Sequence, residues 1–495
     1  MCIRDRFTDV HSPLPHPPPL KTIPFTEEDV QLELERLPIT KALAPDGFPA
    51  LIWKQFAPQL TPIIYACIRQ AWTSDPCIPP TRWSTGWLHL LPKANKTPNK
   101  PEALRPICLQ HPVNKIMSGI HCRLMQSYTY PALKTMPLYA YMAHRGTKDC
   151  LLTISQHCRL VREMCRVHGK DQAKQGLWGG LQISLDMEKA FDTISRSMVS
   201  RALHAFDMSA DLQHLVHSWL APHQYCISHK ELVGMFQVSG GIKQGSKDAP
   251  FFWTISMYLI LHDLLAQYDQ AWITNHILIY ADDIHLRWII TSPSEGLAAL
   301  HDLSFLLRVF RAYGLRINQQ KSVALTRMVG RALNPFLRRW TSRPTTGPIL
   351  HLPDANLTIP LMSKTSYLGT IVSYRAWEAD TIRRRITAAQ TCFRILRRWL
   401  LDKHHDIKIR IRLYNQCVLP TVLYGIFEMG ITYKCSQDII GMINNHHRLI
   451  AHAPVHLTRI PTAEFFTSLG LRPPWITLQH LFHCLLYTSP SPRDA

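Results

Sequence analysis

The chain has 495 residues, 46% of them apolar, and its 55 Lys and Arg outnumber 35 Asp and Glu for a formal net charge of +20. That length exceeds one small domain, the apolar share supports a real core, and the charge points to an anionic partner bound with steep salt dependence. Thirteen cysteines without a C-x-x-C pair argue against a zinc site or disulfide framework and for reduced thiols inside the cell. No run reaches the roughly 18 apolar residues of a membrane span, and the N-terminus lacks a signal-type apolar core, so no membrane partner is expected.

In chain order, Met1–Arg6 and Tyr487–Ala495 resemble translated adapter sequence and are set aside, so the chain reads as an incomplete open reading frame. Residues 11–24 hold six prolines, and residues 1–25 read as an extended, disordered segment. Thr26 is placed to cap a helix to about Leu37, with Glu27, Glu28 and Asp29 in its first turn. Helical spacing follows from Pro49 to Trp72. Trp87–Lys93 and Leu104–Leu109 read as two strands around a polar tip, and residues 112–127 and 147–168 as helices.

A strand ending at Asp186 comes next, then a helix from about Arg196 to Phe206. The glycine-rich Gly240–Gly245 loop leads into a buried apolar helix from about Pro250 to Tyr268, with Asp248 as its expected N-cap. A helix from Ser294 to Ala312 puts Leu300, Leu303, Leu307 and Phe310 on one face and stops near Gly314. Residues 330–362 show no clear pattern. A strand pair is expected around Tyr367–Val372, and the remainder is helical and basic. From Arg375 to Arg412, eleven Lys and Arg face four Asp and Glu. The pairs His404-His405 and His446-His447 read as surface or nucleic-acid contacts, since neighbours on a helix point apart.

The most informative residues are Tyr280-Ala281-Asp282-Asp283. They lie between Ile277–Ile279 and Ile284–Ile289, the pattern of a β-hairpin whose turn carries adjacent carboxylates. Such carboxylates repel unless a cation joins them. Asp186 ends a strand whose Leu181, Ile183 and Leu185 take the other face. Three carboxylates from two strands suit a pair of Mg²⁺ ions, with Mn²⁺ able to substitute.

These blocks resemble the reverse transcriptases of non-LTR, LINE-type retrotransposons. The resemblance rests on Ser184-Leu-Asp186-Met-Glu-Lys-Ala-Phe191-Asp192, Gly240–Gly245, Tyr280–Asp283, Gly314–Asn318 with Lys321, and Tyr367-Leu-Gly369, in that order. Upstream, Lys41–Gly47, Leu91–Lys93 and Leu104–Ile107 resemble the same branch, and the likeness spans roughly residues 26 to 430. It implies an α/β (α+β) right-hand polymerase, with fingers and an antiparallel palm sheet over residues 26–374 and a helical, basic thumb over 375–486, ahead of the set-aside tail 487–495.

The resemblance implies RNA template, DNA primer and dNTP as partners, with Asp186 and Asp282 bridging two metal ions, Asp283 in support and Lys321 as proton donor. Lys93 and Arg105 would clamp the triphosphate, with Gln244 and Gly245 beside the nucleotide. Phe191 would sit beneath the sugar and exclude rNTP. Leu368 and Gly369 would grip the primer, and Lys41, Arg383, Arg384, Arg394, Arg397 and Arg398 would meet nucleic acid. A nuclear location is implied in the same way.

One departure is visible: Ser246-Lys-Asp-Ala-Pro250 replaces the family's small, apolar run. An inactive remnant that only binds nucleic acid is the alternative. No endonuclease or ribonuclease H set is found.

Overall fold

The computed structural model describes residues 19–20, 22–45, 47–75, 77, 79–93, 97, 100, 103–169, 176–220, 223–229, 232–238, 240–345 and 347–480. The expected proline-rich segment (save residues 19, 20 and 22–25), part of the hairpin tip and the tail 487–495 lie outside them.

Two sheets carry the architecture. Strands β1 (Gly86–Pro92) and β2 (Leu104–Gln110) form the antiparallel hairpin expected from sequence. The central strand is β3 (Trp178–Asp186), and β4 (His223–His229) and β5 (Leu232–Val238) form a hairpin with no counterpart among the expected elements. β4 pairs parallel to β1, giving a four-stranded sheet of order β2-β1-β4-β5.

The larger sheet adds β6 (Ile277–Tyr280), β7 (Asp283–Ile290), β8 (Val323–Val329), β9 (Thr341–Ser342), β10 (Ile349–Leu352) and β11 (Leu357–Met362), ordered β6-β7-β3-β8-β11-β10-β9. The β6-β7-β3-β8 part is antiparallel, as expected, while β11 joins β8 in parallel. Residues 330–362, which carry no legible pattern, thus form a helix (Leu333–Trp340) and extend this sheet. A last hairpin, β12 (Lys364–Tyr367) and β13 (Thr370–Ser373), stands apart.

Alternation on β3 and β7 decides where the core lies. Leu181, Ile183, Leu185, Ile284 and Leu286 point into the main core with Leu300, Leu303, Leu307 and Phe310 of the helix Pro293–Ala312. Helix Ala249–Asp263 passes through this core almost wholly buried. The window Ala249–Ala266 is long and apolar enough to cross a membrane, but most of it is packed inside the protein.

The other sheet face receives helix Thr147–His168, which buries Cys150, Ile154, Cys158 and Val161. Gly180 permits that approach, since a Cβ there would stand 2.4 Å from Val161 Cγ2.

The C-terminal helices build a separate core on Ile382, Phe393, Tyr414, Ile439 and Ile443. Helix Trp377–Leu400 begins at a fixed junction. The Trp377 indole donates to Met429 O at 2.8 Å, and Arg162 lies 3.5 Å over its ring while donating to both Glu378 oxygens at 2.9 Å.

Two expectations are corrected. His446 and His447 are buried, not surface contacts. His446 stacks on Phe393 at 4.1 Å and lies 3.2 Å from the Tyr414 hydroxyl. Asp248 occupies the N-cap position but with helical backbone and no capping bond, because Ser246 and His121 engage its carboxylate instead.

The Gly180 contact makes a prediction. Gly180→Val should overpack the interface of β3 with helix Thr147–His168 and destabilise the fold by about 1–3 kcal/mol, measured as a lower denaturation midpoint at unchanged slope.

Candidate active site

Strand register makes the site. β3 and β7 pair from Gly179↔Ile290 to Asp186↔Asp283, so two carboxylates stand opposite each other where the ladder ends. β6 and β7 are joined through Ala281 and Asp282, with Tyr280 paired to Asp283. Ala281 has φ 55°, the left-handed first position of a II′-type hairpin turn. Because alanine adopts that region at a cost, the turn needs support. The Trp253 indole supplies it, donating to Ala281 O at 2.7 Å.

Asp282 and Asp283 keep solvent-exposed surface and Asp186 is half-buried. Even so, the surrounding protein desolvates the Asp283 carboxyl and raises it to about 6, with the charges of Asp282 and Asp186 adding to the shift. The Asp186 backbone is fixed from the far side. Its N–H donates to Ser322 Oγ at 3.1 Å and its carbonyl accepts from Asn318 N–H at 2.9 Å. Lys321, on the same segment, brings its ammonium within 3.5 Å of Asp186 Oδ2.

Among the described residues no three His, Cys, Asp or Glu side chains converge closely enough to enclose an ion as they stand. The donor chemistry nonetheless fits a hard divalent cation. Asp186, Asp282 and Asp283 offer only carboxylate oxygens, burial and then their mutual repulsion raise Asp283, and a cation (Lys321) already stands against Asp186.

Phe191 follows Lys189, whose φ of 52° turns the chain away from β3. Its ring lies 5.6 Å from that of Trp253, so one tryptophan touches both the acidic turn and Phe191. The Phe191 carbonyl accepts from Ile242 N–H at 2.8 Å, and the Gln244 carbonyl accepts from Cys108 N–H on β2 at 2.8 Å. Gly241 and Gly245 allow both approaches. Their φ values are 73° and 116°, and a Cβ on either would stand 2.8 Å from a facing carbonyl oxygen.

Lys93 and Arg105 lie on one face of the β1–β2 hairpin, because Leu91 faces Arg105 and the Lys93 N–H bonds Ala103 O at 2.8 Å. Leu368 and Gly369 form the two-residue β12–β13 turn, with φ 41° and 78°, the I′ pattern. The preceding Tyr367 has its ring 5.1 Å from His285, which bonds Ser184 and Gln182 at 3.0 Å each.

Helix Trp377–Leu400 exposes Arg384, Arg394, Arg397 and Arg398. Arg383 is exposed too, but it pairs with Asp380 at 3.0 Å. Lys41 is exposed, and its charge, after burial, helps lower Lys115.

Four functional neighbours escape sequence reasoning: Trp253, Ser322, Tyr141 and Arg385. Tyr141, with φ 63° and 56% exposed, lies near enough to Asp282 for that charge to add to the burial that raises its phenol. Arg385 turns inward, placing Nη2 2.5 Å from where a Gly369 Cβ would be and its guanidinium 4.3 Å over Tyr424. Only Ser322 had a sequence signal, its place beside Lys321.

Comparison with known proteins identifies the family. A family model described as reverse transcriptase (RNA-dependent DNA polymerase), a family generally dependent on divalent metal, matches residues 91–372. The chain is 23% identical over 389 residues to a probable RNA-directed DNA polymerase from transposon BS of Drosophila melanogaster, covering 76% of this chain and 39% of that protein. It is 22% identical over 389 residues to a retrovirus-related Pol polyprotein from type-1 retrotransposable element R2 of Popillia japonica, covering 76% and 49%. The chain thus spans half or less of the length of these relatives. Among solved structures, apo telomerase from Candida tropicalis aligns over 85% of this chain and 66% of that one, with TM-score 0.42 and 12% identity.

The raised Asp283 sets a sign for pH dependence. A carboxyl whose folded pKa lies above its ordinary value favours the fold while protonated, and that contribution is lost as pH rises from the ordinary range through about 6. Asp283→Asn should therefore raise the melting midpoint in EDTA at pH 7.5, and the gain should vanish near pH 4. Adding Mg²⁺ at pH 7.5 should stabilise the wild type more than the variant.

Proposed function

The chain belongs to the reverse transcriptase family, and from that premise we propose that it is the polymerase of a LINE-type, non-LTR retrotransposon. In this reading it extends a primer 3′-hydroxyl with dNTPs along an RNA template. The carrying observation is the register that sets Asp186 opposite Asp283, beside the two-residue turn that bears Asp282.

The donor set suits two Mg²⁺ ions, which when bound lower the pKa of the attacking hydroxyl and offset charge on the leaving pyrophosphate, Mn²⁺ being able to substitute. Asp186 and Asp282 would hold them, with Asp283 in support. The protein's own groups supply alignment and charge. Lys321, which stands against Asp186, would give a proton to the departing pyrophosphate. Lys93 and Arg105, on one hairpin face, can bind the triphosphate, Arg105 in bidentate fashion. Phe191, braced by Trp253, is the proposed barrier to a 2′-hydroxyl.

Gln244 and Gly245 would line the nucleotide, and the Leu368–Gly369 turn would steer the primer end. Arg384, Arg394, Arg397 and Arg398 offer exposed cations to phosphate, joined by Lys41 and Arg383. Ser246, Lys247 and Asp248 each engage surrounding side chains, so the departing run is packed into the fold.

Primer extension on an RNA template with dNTP and Mg²⁺ tests the proposal. Wild type should extend, and Asp282→Asn should lose about 10²–10³-fold or more of the rate. Equal incorporation by the two would sink the site. Phe191→Val should admit rNTPs with dNTP use retained, and unchanged sugar preference would remove Phe191 from its role.

A further inference from the structure

The departure after Gln244 is accompanied by partners elsewhere in the chain. Glu33, on helix Glu27–Glu35, is 3% exposed, and its Oε2 accepts from Lys247 Nζ at 2.7 Å. Arg36 stands 3.6 Å from its other oxygen. The carboxylate lies over Gly119 of helix Pro112–Leu133, where a Cβ would come within 1.9 Å of Oε2. Helix Pro112–Leu133 also holds the loop directly. Ser118 Oγ is 2.8 Å from Ser246 Oγ, Cys122 Sγ reaches Lys247 O at 3.5 Å, and His121 Nδ1 is 3.6 Å from Asp248 Oδ2. Asp29 and Arg123, paired at 2.9 Å, tie the same two helices together.

We infer that Glu33 is a positioning residue: through Lys247 and over Gly119 it latches the loop Lys243–Asp248 and so sets where Gln244 presents itself to the nucleotide. Glu33 lies outside the region matched to the family, residues 91–372, while the loop lies inside it. Removing one partner of such a contact leaves a desolvated charge uncompensated. The loop is the part able to yield, because Gly245 within it and Gly241 just before it are in left-handed backbone. Gln244 is only three residues from Lys247, and its carbonyl is held by β2. A released latch would therefore shift Gln244 against the finger hairpin while β3 and β7 stay in register.

The effect on nucleotide use rests on the polymerase reading, so the test has two separate readouts. The first is amide hydrogen exchange of residues 240–248 in the full chain. Glu33→Ala and Lys247→Met should each speed it roughly ten- to a hundredfold, with the double variant no faster than either and Glu33→Gln intermediate. Lys247 is the more exposed partner, so its variant keeps the test open if Glu33→Ala does not fold. The second is primer extension, where KM for dNTP should rise severalfold with kcat little changed. Additive effects, or exchange that rises evenly across the chain, would overturn the latch. If the wild type adds no nucleotide the polymerase reading fails, while the exchange cycle still decides the latch.

Discussion

Everything at this site depends on holding like charges together. Two unit charges about 5 Å apart repel by about 3 kcal/mol at an effective dielectric near 20. Asp186 and Asp283, opposed by register, repel by less than that, because both keep solvent contact that screens them. The ladder that imposes it is stronger. β3 is paired on both edges, to β7 and β8, and each fully buried Leu or Ile on its inner face contributes about 1.5–3 kcal/mol. The strands cannot slip to relieve the charges, since a one-residue shift would turn Leu181, Ile183 and Leu185 out of the core. The repulsion is built in, and protonation of Asp283, the Lys321 ammonium or a bound cation reduces it.

Contacts then carry this arrangement from the acidic turn to β2. Trp253 fixes the acidic turn by one hydrogen bond and braces Phe191 by its ring. From Phe191 the chain of contacts runs to Ile242, through the loop to Gln244, and across to Cys108 on β2. Each crossing uses a glycine that has no room for a side chain, Gly241 against Asp192 and Gly245 against Cys108. The two sheets therefore meet at the loop. A displacement of the β1–β2 hairpin reaches Phe191 through two hydrogen bonds.

Much of this was legible in the residues, for reasons that are local. Period-two alternation around Asp186 and Tyr280–Asp283 located β3, β6 and β7 and the face that bears the acids. The 3.6-residue spacing located the helices at 147–168 and 293–312. Contacts between distant segments were not legible. Nothing near Trp253 in sequence marks it as the donor to Ala281, and Arg385 looks like its neighbours Arg383 and Arg384, although it turns inward beneath Gly369. His446-His447 misled because a histidine pair among polar residues suggests solvent. Both rings are instead used as aromatic surface against Phe393, Tyr414 and Phe466, and burial holds both below the ordinary imidazole range, His446 at about 4. Asp248 misled because an N-cap position gives the side chain an option only, and a buried Ser246 and His121 were better partners than a helix N–H.

The inward Arg385 also bears on how the arginine-rich helix is used. Near its start, Glu378 and Asp380 offset Arg162, Lys364 and Arg383. Near its end, Arg397 and Arg398 are favoured by the helix dipole. Repulsion along the helix is thus smaller than a bare count of arginines suggests. Ile382, Ala389, Phe393 and Leu400 anchor one face in the C-terminal core, leaving Arg384, Arg394 and Arg398 outward. Arg385 and Thr381 bind the same helix to the β12–β13 hairpin. The turn proposed to steer the primer end and the cations proposed to hold its backbone therefore belong to one packed unit, so a duplex engaged by one would be presented in register to the other.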